Sequence, residues 1–93
     1  MNLVWSAKFT RAVRRTTRRH PGLLDDLSAA LEALAADYRH PSLHTHKLKG
    51  DLDGCWACSA GYDLRVVFEF CRHPKTRDLE IHLLNVGTHD EVY

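Results

Sequence analysis

The sequence has no apolar run approaching the roughly 18–20 residues of a membrane span. Its N-terminus, MNLVWSAKF, leads into a basic, polar stretch rather than the apolar core of a signal peptide. A cytoplasmic protein with no membrane partner is expected. Internal repeats and low-complexity segments are absent. With 93 residues the chain has room for one modest core, since a second domain needs roughly another 50 residues or more. Residues 1–93 are therefore expected to form one domain, too small for a large cofactor fold. Hydrophobic residues make up 44% and charged residues 27%, which argues against wholesale disorder.

Cysteine is scarce and odd in number, and three residues cannot form a full disulfide framework. Cys55 and Cys58 make a C-x-x-C, but no second such pair completes a zinc site. The segment also reads as a strand, where positions three apart point to opposite faces. Both are expected to be structural thiols in a reducing compartment. Acidic residues are missing from the first 24 positions. That stretch holds Lys8, Arg11, Arg14, Arg15, Arg18 and Arg19, a charge of +6, against seven basic and twelve acidic side chains, −5, in the other 69 residues. The small net charge conceals a basic third. Such a third suits a phosphate backbone or an acidic partner, or simply a solvated helix face.

What is present reads as an α+β chain. Asn2–Trp5 looks like a short strand, and Ser6 can cap a helix with Phe9, Ala12, Val13 and Thr16 at helical spacing. Pro21 ends that helix. A second is expected over Leu23–Tyr38, with Leu24, Leu27, Leu31, Leu34 and Tyr38 as its apolar stripe and alanines supporting it. The short break predicts an antiparallel helical hairpin. After Pro41 the period becomes that of strands: 44–48, 55–60, 64–70 and 79–86, separated by Gly50-Asp51, Asp53-Gly54, Gly61 and the polar run 72–78. Helices grouped before an antiparallel meander should cover one face of the sheet and leave the other for solvent or a ligand.

Polar residues gather in three places. In His44-Thr45-His46-Lys47-Leu48-Lys49 the two histidines share a strand face but lack a third and fourth metal ligand, so no metal or cofactor is expected. Asp63 and Arg65 share the face opposite Leu64 and Val66, as a site pair or a surface ion pair of little worth. His89, Asp90 and Tyr93 cluster at the C-terminal end. Together these supply imidazole, carboxylate, guanidinium and an aromatic ring. That inventory suits metal-independent RNA cleavage: a base for the 2′-hydroxyl, a cation for the phosphorane, an acid for the 5′-oxygen and a platform for a splayed base. The other histidines look bland: His20, His40 and His73 sit beside prolines, and His82 faces outward on a strand. Trp5 and Trp56 are expected to be packing anchors.

The blocks HKLKG at 46–50, Trp56 with G-Y-D-x-R-x-x-F at 61–68, and LLNVGTHDEVY at 83–93 resemble the RelE/ParE superfamily of bacterial toxins, and most closely its YafQ-like branch. The resemblance covers nearly the whole chain; G-Y-D-x-R and the terminal G-T-H-x-x-x-[YF] are its most specific parts. It implies a ribosome-dependent mRNA interferase of a type II toxin–antitoxin system. Such a protein enters the 30S A site, cleaves mRNA by 2′-hydroxyl attack, and is neutralised by a cognate antitoxin. It touches operator DNA only through the antitoxin complex.

By motif position His46, Asp63, Arg65, His89 and Tyr93 fall on the family's site residues. The resemblance thus implies His89 as general acid or base opposite Asp63 or His46, Arg65 on the phosphate and Tyr93 against a base. Lys47, Lys49, Arg11, Arg14, Arg15 and Arg18 are the implied RNA contacts. One departure stands out: Ser59 occupies a position where some YafQ-like toxins carry a further histidine. Two rival readings share the fold, a ParE-like inhibitor of DNA gyrase and an inactive homologue that only binds an antitoxin.

Overall fold

Ser6 separates the first two elements of the computed structural model, which describes residues 1–93. β1 is Asn2–Trp5 and α1 is Ala7–Arg19. The Ser6 Oγ accepts the Phe9 amide at 3.0 Å, the expected N-cap bond. Phe9, Ala12 and Thr16 are buried along one side of α1, and all its basic residues are exposed. After a three-residue link, α2 runs over Leu23–Ala36, ending two residues short of the predicted limit where the Asp37 amide bonds to the Ala33 carbonyl. Leu27, Ala30 and Leu34 are its buried side. Leu24, placed in the stripe by spacing, is 49% exposed instead, and Leu23 packs against the core in its place.

The predicted strand at 44–48 needs correction. Pro41–Leu43 forms a 3₁₀ turn, and His44 adopts the left-handed conformation with φ 48°, so only His46–Lys47 remains as β2. His44 and His46 therefore do not share a strand face. Gly50 and Gly54, with φ of 69° and 91°, frame a second 3₁₀ turn at Gly50–Leu52. β3 (Trp56–Ala60), β4 (Leu64–Arg72) and β5 (Leu79–Thr88) follow, the last two longer than predicted by two residues each. The chain then turns into a short helix, α3, His89–Val92, where only an irregular tail was expected.

The sheet order is β1-β5-β4-β3-β2, antiparallel except for β1, which pairs in parallel with β5. Both long helices cover one face. Phe9, Ala12, Leu27, Ala30 and Leu34 close over Cys58, Leu64, Val66, Phe68, Ile81, Leu83 and Val86. An edge of aromatic contacts extends this core, with Trp56 and Tyr38 packed edge-on against Phe70 at 5.3 and 5.0 Å. Leu84 is an extra residue between two paired positions of β5, and this bulge re-aims the strand before its functional end. The face opposite the helices displays His46, Arg65, Val67, Glu69, Cys71, Glu80, His82 and Gly87 by strand alternation and register. No helix is long and apolar enough to cross a membrane.

Candidate active site

Gly87 makes the terminal turn possible. It lies opposite Arg65 in the ladder, and a Cβ there would stand 3.0 Å from Glu91 Cβ and 3.4 Å from a Val92 methyl. Without a side chain, α3 folds back onto the end of β5 and buries Val92. The turn is held by Glu91, whose carboxylate accepts the Thr88 amide at 2.9 Å and meets Arg19 of α1 at 3.5 Å. The Thr88 amide bond first, then Arg19 and Arg15, hold the Glu91 carboxyl below its ordinary range. Gly87 stands out in the sequence only as the first residue of the G-T-H motif, and Glu91 only through the capping-box spacing of Thr88-x-x-Glu91.

This turn brings His89 and Tyr93 together, with ring centroids 4.6 Å apart and edge to face. The His89 Nδ1 also stands 3.5 Å from Asp90, but both groups are open to water and the pair is weak. Burial pushes the Tyr93 hydroxyl up, opposed by the nearby Arg65 guanidinium, so the phenol stays protonated. Tyr93 also borders an open cavity of about 380 Å³ lined by Leu48, Lys49, Asp51 and Leu52. Arg65, His89, Tyr93 and Lys49 thus gather around the C-terminal end of the sheet.

Arg65 is anchored through one nitrogen only. Its Nη1 donates to the Leu64 carbonyl at 2.9 Å and the Tyr62 carbonyl at 3.4 Å. Its Nε and Nη2 donors have no internal partner and remain able to grip an anion. His46 lies on the same sheet face, two strands across from Val67, which at the usual strand spacing is roughly 10 Å. Its Nδ1–H donates to the His44 carbonyl at 2.8 Å. A carbonyl can only accept, so Nε2 of the neutral ring keeps a free lone pair.

Asp63 belongs to the exposed β3–β4 turn rather than to a strand, and it forms neither a hydrogen bond nor an ion pair with Arg65. Lys47 is turned to the other sheet face, where its Nζ lies 5.4 Å from the Trp56 ring centre. Ser59 stands directly opposite Arg65 in the register, the position where an additional histidine would have faced the site. Arg11, Arg14, Arg15 and Arg18 project from α1 on the helical side. That helix meets α3 through Arg19, so its basic surface reaches the rim of the cluster.

All three cysteines are free. Burial pushes the Cys58 thiol up to about 12, and burial together with neighbouring carboxylates raises Cys55 and Cys71. A further cavity of about 350 Å³, lined by Tyr38, His40, His44 and Trp56 among others, holds none of the predicted catalytic residues. His40 and His73 serve their own loops, accepting the amides of Ser42 and of Lys75 and Thr76.

A family model described as "Bacterial toxin of type II toxin-antitoxin system, YafQ" matches residues 1–93. Among solved structures the chain is similar to YafQ from E. coli strain BL21(DE3), with a TM-score of 0.79 and 15% identity over 99% of this chain and 97% of that one. It is similar to the YoeB/ParE toxin from Agrobacterium tumefaciens, with a TM-score of 0.73 and 16% identity over 96% and 99% of the two chains. A chain of the E. coli DinJ–YafQ complex gives a TM-score of 0.72 and 17% identity over 99% and 97%. At these identities the structural likeness speaks for the fold. No curated protein matches the chain.

Proposed function

Because the chain belongs to the YafQ family of bacterial type II toxin–antitoxin toxins, we propose that it is a ribosome-dependent mRNA interferase acting in the cytoplasm. One observation carries this reading. The terminal helix folds over Gly87 and sets an imidazole and a phenol on the sheet end that presents a half-free guanidinium.

In the proposed reaction His46, through the free lone pair of Nε2, takes the proton of a ribose 2′-hydroxyl; Asp63 is the alternative base. The 2′-oxygen attacks the adjacent phosphorus, and the free donors of Arg65 stabilise the phosphorane that forms. The bond to the 5′-oxygen breaks, leaving a 2′,3′-cyclic phosphate, and His89 gives the leaving oxygen its proton. Tyr93, neutral and half exposed, stacks on a base that the ribosome has splayed out. No metal takes part in these steps. Lys49 and the arginines of α1 contact RNA backbone. The E. coli YafQ structure with DinJ supports a cognate antitoxin as the second partner.

Primer extension on total mRNA after induction of the protein tests the reading. Cuts phased to codons are expected. DNA breaks that require gyrase would favour a ParE-like inhibitor instead, and neither effect would leave a protein that only binds its antitoxin.

A further inference from the structure

The far end of the helix-free sheet face carries a second cluster, unconnected with the RNA-cleaving reading. Glu69 and His82 stand directly opposite each other on β4 and β5, and Cys71 and Glu80 form the next pair of the same parity. Alternation turns all four side chains to the face away from the helices. One ligand atom each from Glu69, Cys71 and His82 lies within 4.8 Å of the other two. The Cys71 Sγ is 3.6 Å from Glu69 Oε1. From Arg65 to Glu69, the nearest member on β4, is four residues, roughly 13 Å at strand rise, and Cys71 lies two residues further out, so this cluster stands apart from Arg65 and the terminal turn.

Three features make it more than a surface mixture. Neither Glu69 nor Glu80 has a Lys or Arg ion-pair partner, and the cationic neighbours of Glu80 are the histidines His82 and His73. Soft sulfur, imidazole nitrogen and carboxylate oxygen converge on one point, the donor set of a borderline-soft divalent ion. Behind them Glu80, only 9% exposed, is held by the Asn2 side-chain amide at 3.0 Å and presents its other oxygen 3.6 Å from His82 Nε2. A buried carboxylate set against a histidine is the arrangement that orients metal-ligating imidazoles.

We propose that Glu69, Cys71 and His82 form a zinc site in which Glu80 positions His82, clasping β4 to β5 at the end of the sheet remote from the active site. Binding would replace the Cys71 thiol proton with the metal and leave one coordination position for water. Because metal binds the folded chain, it should also raise the melting temperature.

The purified full chain, titrated with Co²⁺ as a spectroscopic stand-in, gives the test. The expected result is a thiolate-to-cobalt charge-transfer band that saturates at one equivalent and is displaced by Zn²⁺. Cys71→Ser should abolish the band, and His82→Asn should weaken binding at least tenfold. Glu80→Gln should keep the band and weaken affinity about tenfold. Cys55→Ser and His89→Ala should bind as the wild type does. Zinc should raise the melting temperature of the wild type but not of Cys71→Ser. Absence of the band, its survival in Cys71→Ser, or its loss in Cys55→Ser would overturn the proposal.

Discussion

Thr16 sits 3% exposed on α1 with a hydroxyl that finds no hydrogen-bond partner. An unpaired buried hydroxyl costs on the order of 1 kcal/mol or more, and valine has the same shape with similar helix propensity. Thr16→Val is therefore expected to stabilise the fold by about 1 kcal/mol, read as a higher urea midpoint with an unchanged slope. At this scale the sequence is informative wherever a side chain's chemistry is local. The Ser6 cap and the burial of Phe9, Ala12 and Thr16 follow from spacing alone. Roles that depend on long-range neighbours are not legible. Nothing in the spacing says that Lys47 covers Trp56, that the Arg65 Nη1 is occupied by carbonyls, or that Glu80 is held by Asn2 from the opposite end of the chain.

Among elements, α3 decides the site. It is one turn long, and an isolated helix of that length does not form by itself; packing over Gly87 and the Glu91 clamp hold it. Glu91 has a folded-state carboxyl pKa lowered mainly by the Thr88 amide. Its stabilising contribution is thus complete above the unfolded-state value near 4.5 and is lost as pH falls through the lowered folded value. Stability of the wild type should accordingly drop on acidification below that value. Glu91→Gln, which keeps an accepting oxygen but cannot titrate, should show a shallower drop in urea midpoints measured across the same range. Glu80, lowered chiefly by the Asn2 amide, retains its own share of the acid sensitivity in both proteins. Periodicity misses the helix because its sequence signal, Thr88-x-x-Glu91, lacks the run of periodic residues that marks longer helices. The loss of the 44–48 strand has a related cause. Pro41 starts a 3₁₀ turn and His44 goes left-handed, backbone states that hydropathy alternation does not report.

For the whole molecule, the order strand, helix pair, meander is legible because each element has a clear period and clear breakers. The parallel pairing of β1 with β5 and the bulge at Leu84 are not, since register between distant segments leaves no periodic trace. The same limit hides the juxtaposition of Glu69, Cys71 and His82. The charge division has a structural counterpart. The arginines of α1 are all exposed, and their surface reaches α3 through Arg19 and Glu91. If this helix contacts ribosomal RNA, log affinity for ribosomes should fall linearly with log salt. Replacing Arg11, Arg14 and Arg18 with alanine should flatten that slope by about one for each phosphate no longer neutralised. A binding isotherm series across salt concentrations checks both.

In the proposed reaction His89, set by the terminal turn, and Arg65, on the facing strand, perform the cleavage. The most direct measurement is the single-turnover rate of mRNA cutting on programmed ribosomes by purified wild type, His89→Ala and Arg65→Ala. The wild type is predicted to cut within the A-site codon, with both variants slower by about a hundredfold or more while still binding the ribosome. Cleavage by His89→Ala at the wild-type rate would contradict it.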